Sequence, residues 1–432
     1  MLVNKALALK LILIKEFSVS DREILTSQLY LNQISITYKI IINIMKPAIV
    51  LSGHTMALGV VRALGSMGVP VIMVHYDERD MGHVSKFVKH NIIAPHPEKY
   101  EEQFIDLLIE VQNRFGSGVL YPVSDESVVA VAKNMDKLKD LFLVTSPNWE
   151  ITQKFIEKKY TYALADKYGV PAPKTIIPTS VEDVEAYAKT VDFPCLVKPS
   201  QSHLFYDKFK TKMYPVNDTS QLVSIYQKSA EANLEVMLQE IIPGDDINVV
   251  NYNAYFWDGK PVAEFTSQHI RNAPPWWGSP RVVLSKDIPE IIEPGRKIIQ
   301  AMDYYGYTCT EFKKDERDGI YKLMEVNGRH NLSTLLAVRC GMNFPWIQYQ
   351  HLVENKLDPP KDFEKNIYWI DIPRDVGYSI KHRTEERYSL KQYLLPYMKP
   401  HVFANLDFGD IKPFIKRSTY LFKQGLKSVF RV

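Results

Sequence analysis

The chain has few cysteines and no long apolar run, and both absences narrow the class of protein. Its 432 residues include three cysteines, Cys195, Cys309 and Cys340, whose wide spacing matches no zinc or redox motif. We expect them to be buried thiols in a reducing cytoplasm. No apolar segment reaches the roughly 18 to 20 residues that a helix needs to cross a bilayer. The sequence therefore predicts a cytoplasmic protein without a membrane-spanning helix.

The chain also has little net charge. A formal charge of +3 and a sequence pI of about 8.4 are too mild to indicate a nucleic-acid partner. Basic residues are concentrated only at the C-terminus, where six lysines and arginines lie between Lys412 and Arg431 and no acid follows Asp410. This segment is interleaved with apolar residues, so it fits either a helix lying on an anionic membrane or a helix packed on the body.

The first 45 residues differ in composition from the rest of the chain. They are rich in Ile, Leu, Ser and Asn and lack the small-residue cleavage site of a signal peptide. Because the apolar strand Ala48 to Leu51 follows at once, we expect Met45 to be the natural start, after an upstream extension. The alternative is a natural start at Met1, with an amphipathic helix packed on the body.

Short apolar strands alternate with helix-length segments from Ala48 onward, which predicts βαβ units and a parallel sheet. The loop after the first strand, SGHTMALG, is not the G-x-G-x-x-G of dinucleotide-binding proteins. Ser124, Asp125 and Glu126 follow a later strand. They either cap the next helix or touch a substrate, and capping is favoured.

The second half combines helices with antiparallel strands. A helix over 152–168 should end at Gly169, because Val-Pro-Ala-Pro follows. Long strands on either side of the Asp258-Gly259 turn predict an antiparallel sheet. Further strands are predicted at 194–199 and 236–242.

The segment YTCTEFKKDERDGIYKLMEVNGRHN, residues 307–331, predicts a β-hairpin with strands 307–313 and 320–327 around a polar turn. Side chains alternate across a strand, so Glu325 and Asn327 should share one face with Leu323.

Symmetric closure about Asp318 places Glu311 opposite Glu325. With Asn327, these residues supply three oxygen donors, which suit Mg²⁺ or Mn²⁺ rather than zinc. The alternative is a solvated sheet face, which carries such residues more often than a metal site does.

Taken in this order, these segments resemble the ATP-grasp superfamily of carboxylate–amine ligases over about residues 46–353. The resemblance implies an α/β and α+β protein, in which an N-terminal parallel-sheet pre-ATP-grasp domain precedes a two-lobed ATP-grasp domain. The implied divisions are an atypical extension at 1–45, the pre-ATP-grasp domain at 46–150, a small lobe at about 151–235, a large lobe at about 236–355, and a C-terminal extension with the basic tail at 356–432.

The resemblance also implies a site for ATP. Lys159 and Lys198 stand where the family places its two nucleotide-binding lysines, whose ammonium groups reach the phosphates. The adenine hinge would be formed by Gln239, Glu240, Ile241 and Ile242, with Glu240 accepting from the amino group. Asp246 would accept from the ribose hydroxyls.

For catalysis, the resemblance implies that Glu311, Glu325 and Asn327 hold magnesium and that Arg329 neutralises the transferred phosphoryl group. We also predict that Arg271 contacts a substrate carboxylate or phosphate through its guanidinium fork. Trp276 and Trp277 either shape this pocket or pack on the core. Asn331, Ser333 and Thr334 either bind the acyl acceptor or cap the next helix, and capping is favoured.

One segment departs from the family pattern. Many members have a glycine-rich loop after the second lysine, whereas residues 200–213 contain no glycine. The loop offers Ser202, His203, Lys208, Lys210 and Lys212 instead, so we expect side chains or a mobile lid to cover the phosphates.

The implied reaction transfers the terminal phosphate of ATP to a carboxylate, after which an amine displaces phosphate from the acyl phosphate. The partners would be a small carboxylate and a small amine, in cell-surface polymer or amino-acid conjugate synthesis, with a second copy of the chain as a further candidate partner. Two alternatives stay open: a kinase acting on a hydroxyl, and a non-catalytic ATP sensor or scaffold recruited to a membrane.

Overall fold

The structure is a computed structural model that describes residues 45–77, 79–199, 213–276, 278–382 and 388–429. Several predictions lie outside these ranges: those for residues 1–44, for the side chains of the 200–212 loop and for Trp277. No helix within the described ranges is both long and apolar enough to span a bilayer. All three cysteines are buried free thiols, as expected.

The N-terminal part is built on a five-stranded sheet whose neighbouring strands are all parallel, in the order β3-β2-β1-β4-β5. This confirms the prediction of a parallel sheet. The strands are β1 (Ala48–Leu51), β2 (Val71–His75), β3 (Val88–Ile93), β4 (Val119–Pro122) and β5 (Leu143–Val144). The helices are α1 (Thr55–Gly65), α2 (Glu101–Phe115), α3 (Asp125–Lys133) and α4 (Met135–Leu138).

Two consecutive helices replace the single helix predicted over 152–168. They are α5 (Trp149–Ile156) and α6 (Lys158–Tyr168). Glu157 lies between them in an extended conformation, with φ −92° and ψ 100°, which interrupts the helical hydrogen bonds. The predicted end is confirmed, because Gly169 adopts a left-handed conformation with φ 63°.

A four-stranded antiparallel sheet follows, in the order β6-β9-β7-β8. Its strands are β6 (Thr175–Ile176), β7 (Cys195–Pro199), β8 (Tyr214–Val216) and β9 (Val236–Glu240), and its helices are α7 (Val181–Ala188) and α8 (Thr219–Glu231). The two helices pack on one face, where apolar side chains from both helices and from the strands form a separate core.

The largest sheet has seven strands in the order β14-β13-β10-β11-β12-β15-β16, all antiparallel except the last pair. Its strands are β10 (Val249–Trp257), β11 (Lys260–Ala273), β12 (Ser279–Ser285), β13 (Gly306–Lys314), β14 (Tyr321–Asn327), β15 (Tyr368–Ile370) and β16 (His401–Phe403). The helices of this part are α9 (Ile292–Ala301), α10 (Thr334–Arg339), α11 (Phe344–Glu354), α12 (Ile372–Lys381), α13 (Leu390–Met398) and α14 (Lys412–Val429).

The predicted hairpin forms, but a β-bulge changes its outer half. Glu311 is the register partner of Glu325, as symmetric closure predicts, whereas Phe312 pairs with Leu323. Met324 is therefore the extra residue on β14. Leu323 and Val326 consequently belong to the same buried core, so the prediction that Leu323 shares the face of Glu325 is wrong.

Two mid-helix glycines, one packed against the core that contains Leu323 and Val326 and one in open space, provide a matched test of the packing of that core. A Cβ on Gly295 in α9 would lie 2.4 Å from Tyr252 Cδ1, whereas a Cβ on Gly377 in α12 would meet nothing within 4 Å. We expect Gly295→Ala to lower the free energy of unfolding by about 1–3 kcal/mol through overpacking. Gly377→Ala should raise it by up to about 1 kcal/mol, because alanine favours the helix. Urea unfolding measures both, and equal effects would contradict this packing.

Candidate functional site

A row of polar side chains crosses the large sheet and faces an open cleft. Glu325 on β14, Glu311 on β13 and Asn251 on β10 are register partners on successive strands. Asn251 Nδ2 donates to Nε2 of His269, 3.0 Å away on β11. All four residues line a cavity of about 380 Å³. Strand register thus brings two carboxylates together, although they are fourteen positions apart in sequence.

A second row lies beside the first. Asn327, Cys309 and Asn253 are register partners on β14, β13 and β10. Asn327 lines the same cavity as the two glutamates, so the structure brings the three predicted metal ligands to one wall. Within the described ranges no cluster of three His, Cys, Asp or Glu side chains is suited to a metal.

The two glutamates repel each other. Burial, and secondly the negative charge of Glu325, raise the pKa of Glu311 to about 7 against the opposing effect of Lys158, Lys313 and Lys198. Like charges directly opposite each other destabilise a sheet. The pair therefore suits a divalent cation between the two carboxylates.

Two lysines face the glutamates. Lys198, on β7, has its pKa lowered to about 8 by burial and by Lys158, with Glu325 and Glu311 acting in the opposite sense. Its ammonium donates to Oε1 of Gln239 on the neighbouring β9. Lys158 Nζ lies 3.5 Å from Glu325 Oε1, and this carboxylate is the main cause of the raised pKa of Lys158.

The structure places Lys159, the predicted first lysine, elsewhere. Its ammonium lies 3.3 Å from Glu157 Oε2, and it lines a different cavity between α6 and β6. The break at Glu157 starts α6 at Lys158, and successive helical positions point about 100° apart. Lys158, rather than Lys159, therefore faces the cleft.

Arg329 links the end of the hairpin to the N-terminal part. Its Nε and Nη2 donate to the two carboxylate oxygens of Asp125, at 2.6 and 2.9 Å, and its Nη1 lies 3.4 Å from Met56 Sδ. Asp125 is the first residue of α3, and Ser124 caps this helix through a capping box with Ser127. Capping by Ser124 is confirmed, while Asp125 orients the predicted catalytic arginine.

Arg271 does not reach the cavity. Its guanidinium is fully buried and donates from Nε and Nη2 to both oxygens of Asp375, at 2.9 and 2.8 Å. Nη1 donates to the backbone oxygen of Tyr393. The guanidinium that we expected to bind a substrate thus donates its hydrogen bonds to α12 and α13. The prediction that Arg271 contacts the substrate is therefore wrong.

The predicted hinge residues lie at the end of β9. The Glu240 carboxylate accepts from Arg317 Nη2 at 2.6 Å and from the backbone N–H of Lys174 at 3.0 Å. Ile241 and Ile242 follow the strand, and the Ile242 N–H forms no backbone hydrogen bond within the described residues.

Asp246 is buried and orders the loop between β11 and β12. Its two oxygens each accept one N–H at 2.7 Å, from the backbones of Asn272 and Trp276. The indole of Trp276 is exposed and donates to Asp245 at 3.0 Å.

The residues beyond Arg329 form part of the cavity wall. Asn331 Nδ2 donates to Asn253 Oδ1 at 2.9 Å and to Cys309 Sγ at 3.2 Å. Ser333 precedes α10 without making a side-chain cap, although capping was favoured, and Thr334 Oγ1 donates to the backbone oxygen of Asn331.

Sequence reasoning missed three residues of the cleft: Lys158, Asn251 and His269. A signal existed for Lys158, because it directly precedes the predicted lysine in the sequence. Asn251 and His269 carried no local motif, and only the pairing of β10 with β11 and β13 brings them to Glu311. Burial lowers the pKa of His269 to about 4, so its imidazole is neutral.

No family model matches the chain. A D-aspartate ligase from Enterococcus faecium is 23% identical over 64% of this chain and 69% of its own length. A D-alanine–D-alanine ligase from Pseudomonas entomophila is 21% identical over 66% of this chain and 82% of its own length. The chain spans only 16% of a multifunctional protein from Neurospora crassa, with 26% identity.

Solved structures share the fold. An L-amino acid ligase from Bacillus licheniformis superposes with a TM-score of 0.55 and 15% identity, over 73% of this chain and 77% of that one. A biotin carboxylase from Campylobacter jejuni, solved as a β,γ-ATP complex, gives a TM-score of 0.58 with 16% identity. The match covers 76% of this chain and 75% of that one.

The three sheets and the cleft have the fold of these ligase and carboxylase structures. These similarities agree with the resemblance of the chain's motifs to the ATP-grasp superfamily. Two of the relatives are named D-aspartate ligase and D-alanine–D-alanine ligase, which supports the predicted ligase over a kinase or a non-catalytic sensor.

The adjacent lysines give a matched test of the site. We expect Lys158→Met to weaken ATP-dependent ADP release at least tenfold, because one charge-assisted contact to phosphate contributes about 1.5–3 kcal/mol. Lys159→Met should leave the rate within about twofold, since its ammonium lies beside Glu157. Steady-state kinetics at varied ATP concentration measure both. A larger loss for Lys159→Met would reverse the assignment.

Arg271→Met separates a structural role from a substrate-binding role. Removing one partner of a buried ion pair costs about 3–5 kcal/mol, and Arg281, which also pairs with Asp375 at 3.1 Å, should keep the loss near the lower limit. We expect a lower urea midpoint, with KM values for the folded enzyme within about twofold of wild type. A raised KM at unchanged stability would restore the substrate-binding role.

Proposed function

We propose that the chain uses Mg²⁺ and ATP to activate a carboxylate as an acyl phosphate and joins it to an amine, with an amino acid as one of the two substrates. The observation that carries this proposal is the single cleft in which Glu311, Glu325 and Asn327 lie opposite Lys158 and Lys198. An amino-acid substrate is supported by the names of the relatives, which include D-aspartate ligase and D-alanine–D-alanine ligase.

ATP would lie between the small sheet and the large sheet. Gln239 orients the ammonium of Lys198, and Lys158 provides a second positive charge for the phosphates. The Ile242 N–H, just beyond the end of β9, would donate to adenine, with the backbone of Glu240 and Ile241 beside it. Asp246 can accept from the ribose hydroxyls through the lone pairs that its two N–H contacts leave open.

The donor set fits magnesium. Two carboxylates and an amide are hard oxygen ligands, and burial beside Glu325 disfavours the charged form of Glu311, as its raised pKa shows, so that a cation here would stabilise it. We propose that Glu311, Glu325 and Asn327 hold the ion. Magnesium would neutralise charge on the phosphates and on the phosphoryl group in transfer.

Arg329 would stabilise the transferred phosphoryl group. A carboxylate oxygen attacks the terminal phosphorus as the bond to ADP breaks, and the amine nitrogen then attacks the acyl carbon as phosphate leaves. These steps depend on positioning and charge. The amine loses a proton in the second step, and no side-chain nucleophile is required. The buried free cysteines support a reducing, cytoplasmic location.

An ADP-release screen tests the function. Purified protein is incubated with ATP, Mg²⁺ and pairs of carboxylates and amines, beginning with amino acids, and products are identified by mass spectrometry. We expect ADP release that requires both substrates, together with an amide product. A phosphorylated alcohol without amide would indicate a kinase, and ATP binding without ADP release would indicate a sensor.

Matched variants test the residues. Glu325→Gln and Arg329→Ala should each lower kcat by about 100-fold, because each removes a charge aimed at the transition state. Glu316→Gln, at the exposed tip of the same hairpin, and Arg339→Ala, on the surface, should stay within about twofold of wild type. Unchanged activity in Glu325→Gln and Arg329→Ala would refute the assignment.

A further inference from the structure

The C-terminal extension exposes an unusual amount of apolar surface. On α12, Ile380 is 75% exposed; on α13, Leu390 and Met398 are 74% and 78% exposed; on α14, Phe422 is 69% exposed. Leu390, Leu394 and Met398 recur every four residues and form one stripe along α13. Exposed apolar patches of this kind mark interaction sites.

The three helices are neighbours. The hydroxyl of Tyr397 on α13 donates to Asp375 Oδ2 on α12 at 2.6 Å, and α12 contacts α14. The first turns of α14 pack on the body, since Pro413 is buried and Lys416 Nζ lies 2.8 Å from His83 Nε2. These contacts do not decide between a tail that packs on the body and a tail that lies on a membrane. The helix packs on the body and still leaves Ile415 and Phe422 exposed.

On α12, α13 and α14, each of the four most exposed apolar residues is followed by an exposed lysine. The pairs are Ile380 with Lys381, Leu390 with Lys391, Met398 with Lys399, and Phe422 with Lys423. Among the described residues, none of these four lysines forms a salt bridge. A lysine beside an apolar side chain can extend to the headgroups while its neighbour enters the acyl region.

The charge is one-sided in the last part of this extension, which contains α13 and α14. After Tyr388 the chain has eight lysines and arginines against two aspartates, while the whole chain carries only +3. Of the two aspartates, Asp410 is buried and accepts from Arg62 and Ser85. A second copy of the chain, packed by two-fold symmetry, would place these positive charges against each other. An anionic lipid surface instead provides both the opposite charge and an apolar phase.

We propose that the outer faces of α12, α13 and α14, defined by the four apolar–lysine pairs, dock on an anionic membrane surface. The exposed aliphatic and aromatic groups enter the headgroup boundary, and the lysines contact lipid phosphates. Binding is peripheral and reversible, since it rests on a few side chains. The proposal is independent of the substrate of the ligase site.

Vesicle sedimentation of the full-length protein tests this surface. One set of vesicles is phosphatidylcholine alone, and the other contains three parts phosphatidylcholine to one part phosphatidylglycerol. We expect binding to the second set only, with a loss when salt is raised from about 0.1 M to about 0.5 M. Failure to bind the anionic vesicles, or equal binding to both sets, would overturn the proposal.

Two double variants separate the contributions. Lys391→Gln/Lys399→Gln should weaken partitioning by roughly 25-fold, since each surface lysine contributes about fivefold. Leu390→Gln/Met398→Gln should weaken it at least tenfold, because two side chains no longer enter the apolar phase. The control Lys89→Gln/Ile93→Gln alters an exposed lysine and an exposed isoleucine of β3 and should bind like wild type.

Light scattering and thermal unfolding are measured on the same variants, so that misfolding is not mistaken for lost binding. Wild-type binding by both C-terminal variants would refute the assignment of the surface. A wild-type dimer that Leu390→Gln/Met398→Gln dissociates, with no vesicle binding, would assign the face to a second copy and overturn the membrane proposal.

Discussion

Strand register forces Glu311 and Glu325 to lie opposite each other, and the rest of the cleft is arranged around this pair. Two carboxylates at one level of a sheet repel each other, and partial burial strengthens the repulsion. Lys158 and Lys198 offset part of it from across the cleft. The two adjacent carboxylates supply hard oxygen ligands that suit a divalent cation, and such a cation accompanies a polyphosphate.

Small backbone irregularities place the charges around this pair. The extended residue Glu157 restarts the helix at Lys158, which turns that lysine rather than Lys159 toward the cleft. The bulge at Met324 lets Leu323 enter the core while Glu325 stays at the cleft wall. Both features are local departures from a regular helix or strand, and both serve to orient a charged side chain.

Alternation and hairpin symmetry were sufficient to predict that Glu311 meets Glu325, because the turn between them is short. The bulge could not be predicted, since a polar turn of this length also permits a regular register. Lys159 was predicted in place of its neighbour Lys158 because the residues around the helix break at Glu157 do not indicate that a helix ends there. Arg271 was misjudged for a different reason: its partner Asp375 lies 104 residues later, and long-range ion pairs cannot be identified from local sequence.

The C-terminal extension joins the two ends of the site. Arg271 and Arg281 anchor α12 to β11 and β12 through Asp375, and β11 also carries His269 of the cleft wall. Before α14, Asp410 accepts from Arg62 on α1, so the same extension is tied to the N-terminal part that supplies Asp125. The buried charges hold the inner face of the extension to both walls of the cleft, which leaves its outer face available for other contacts.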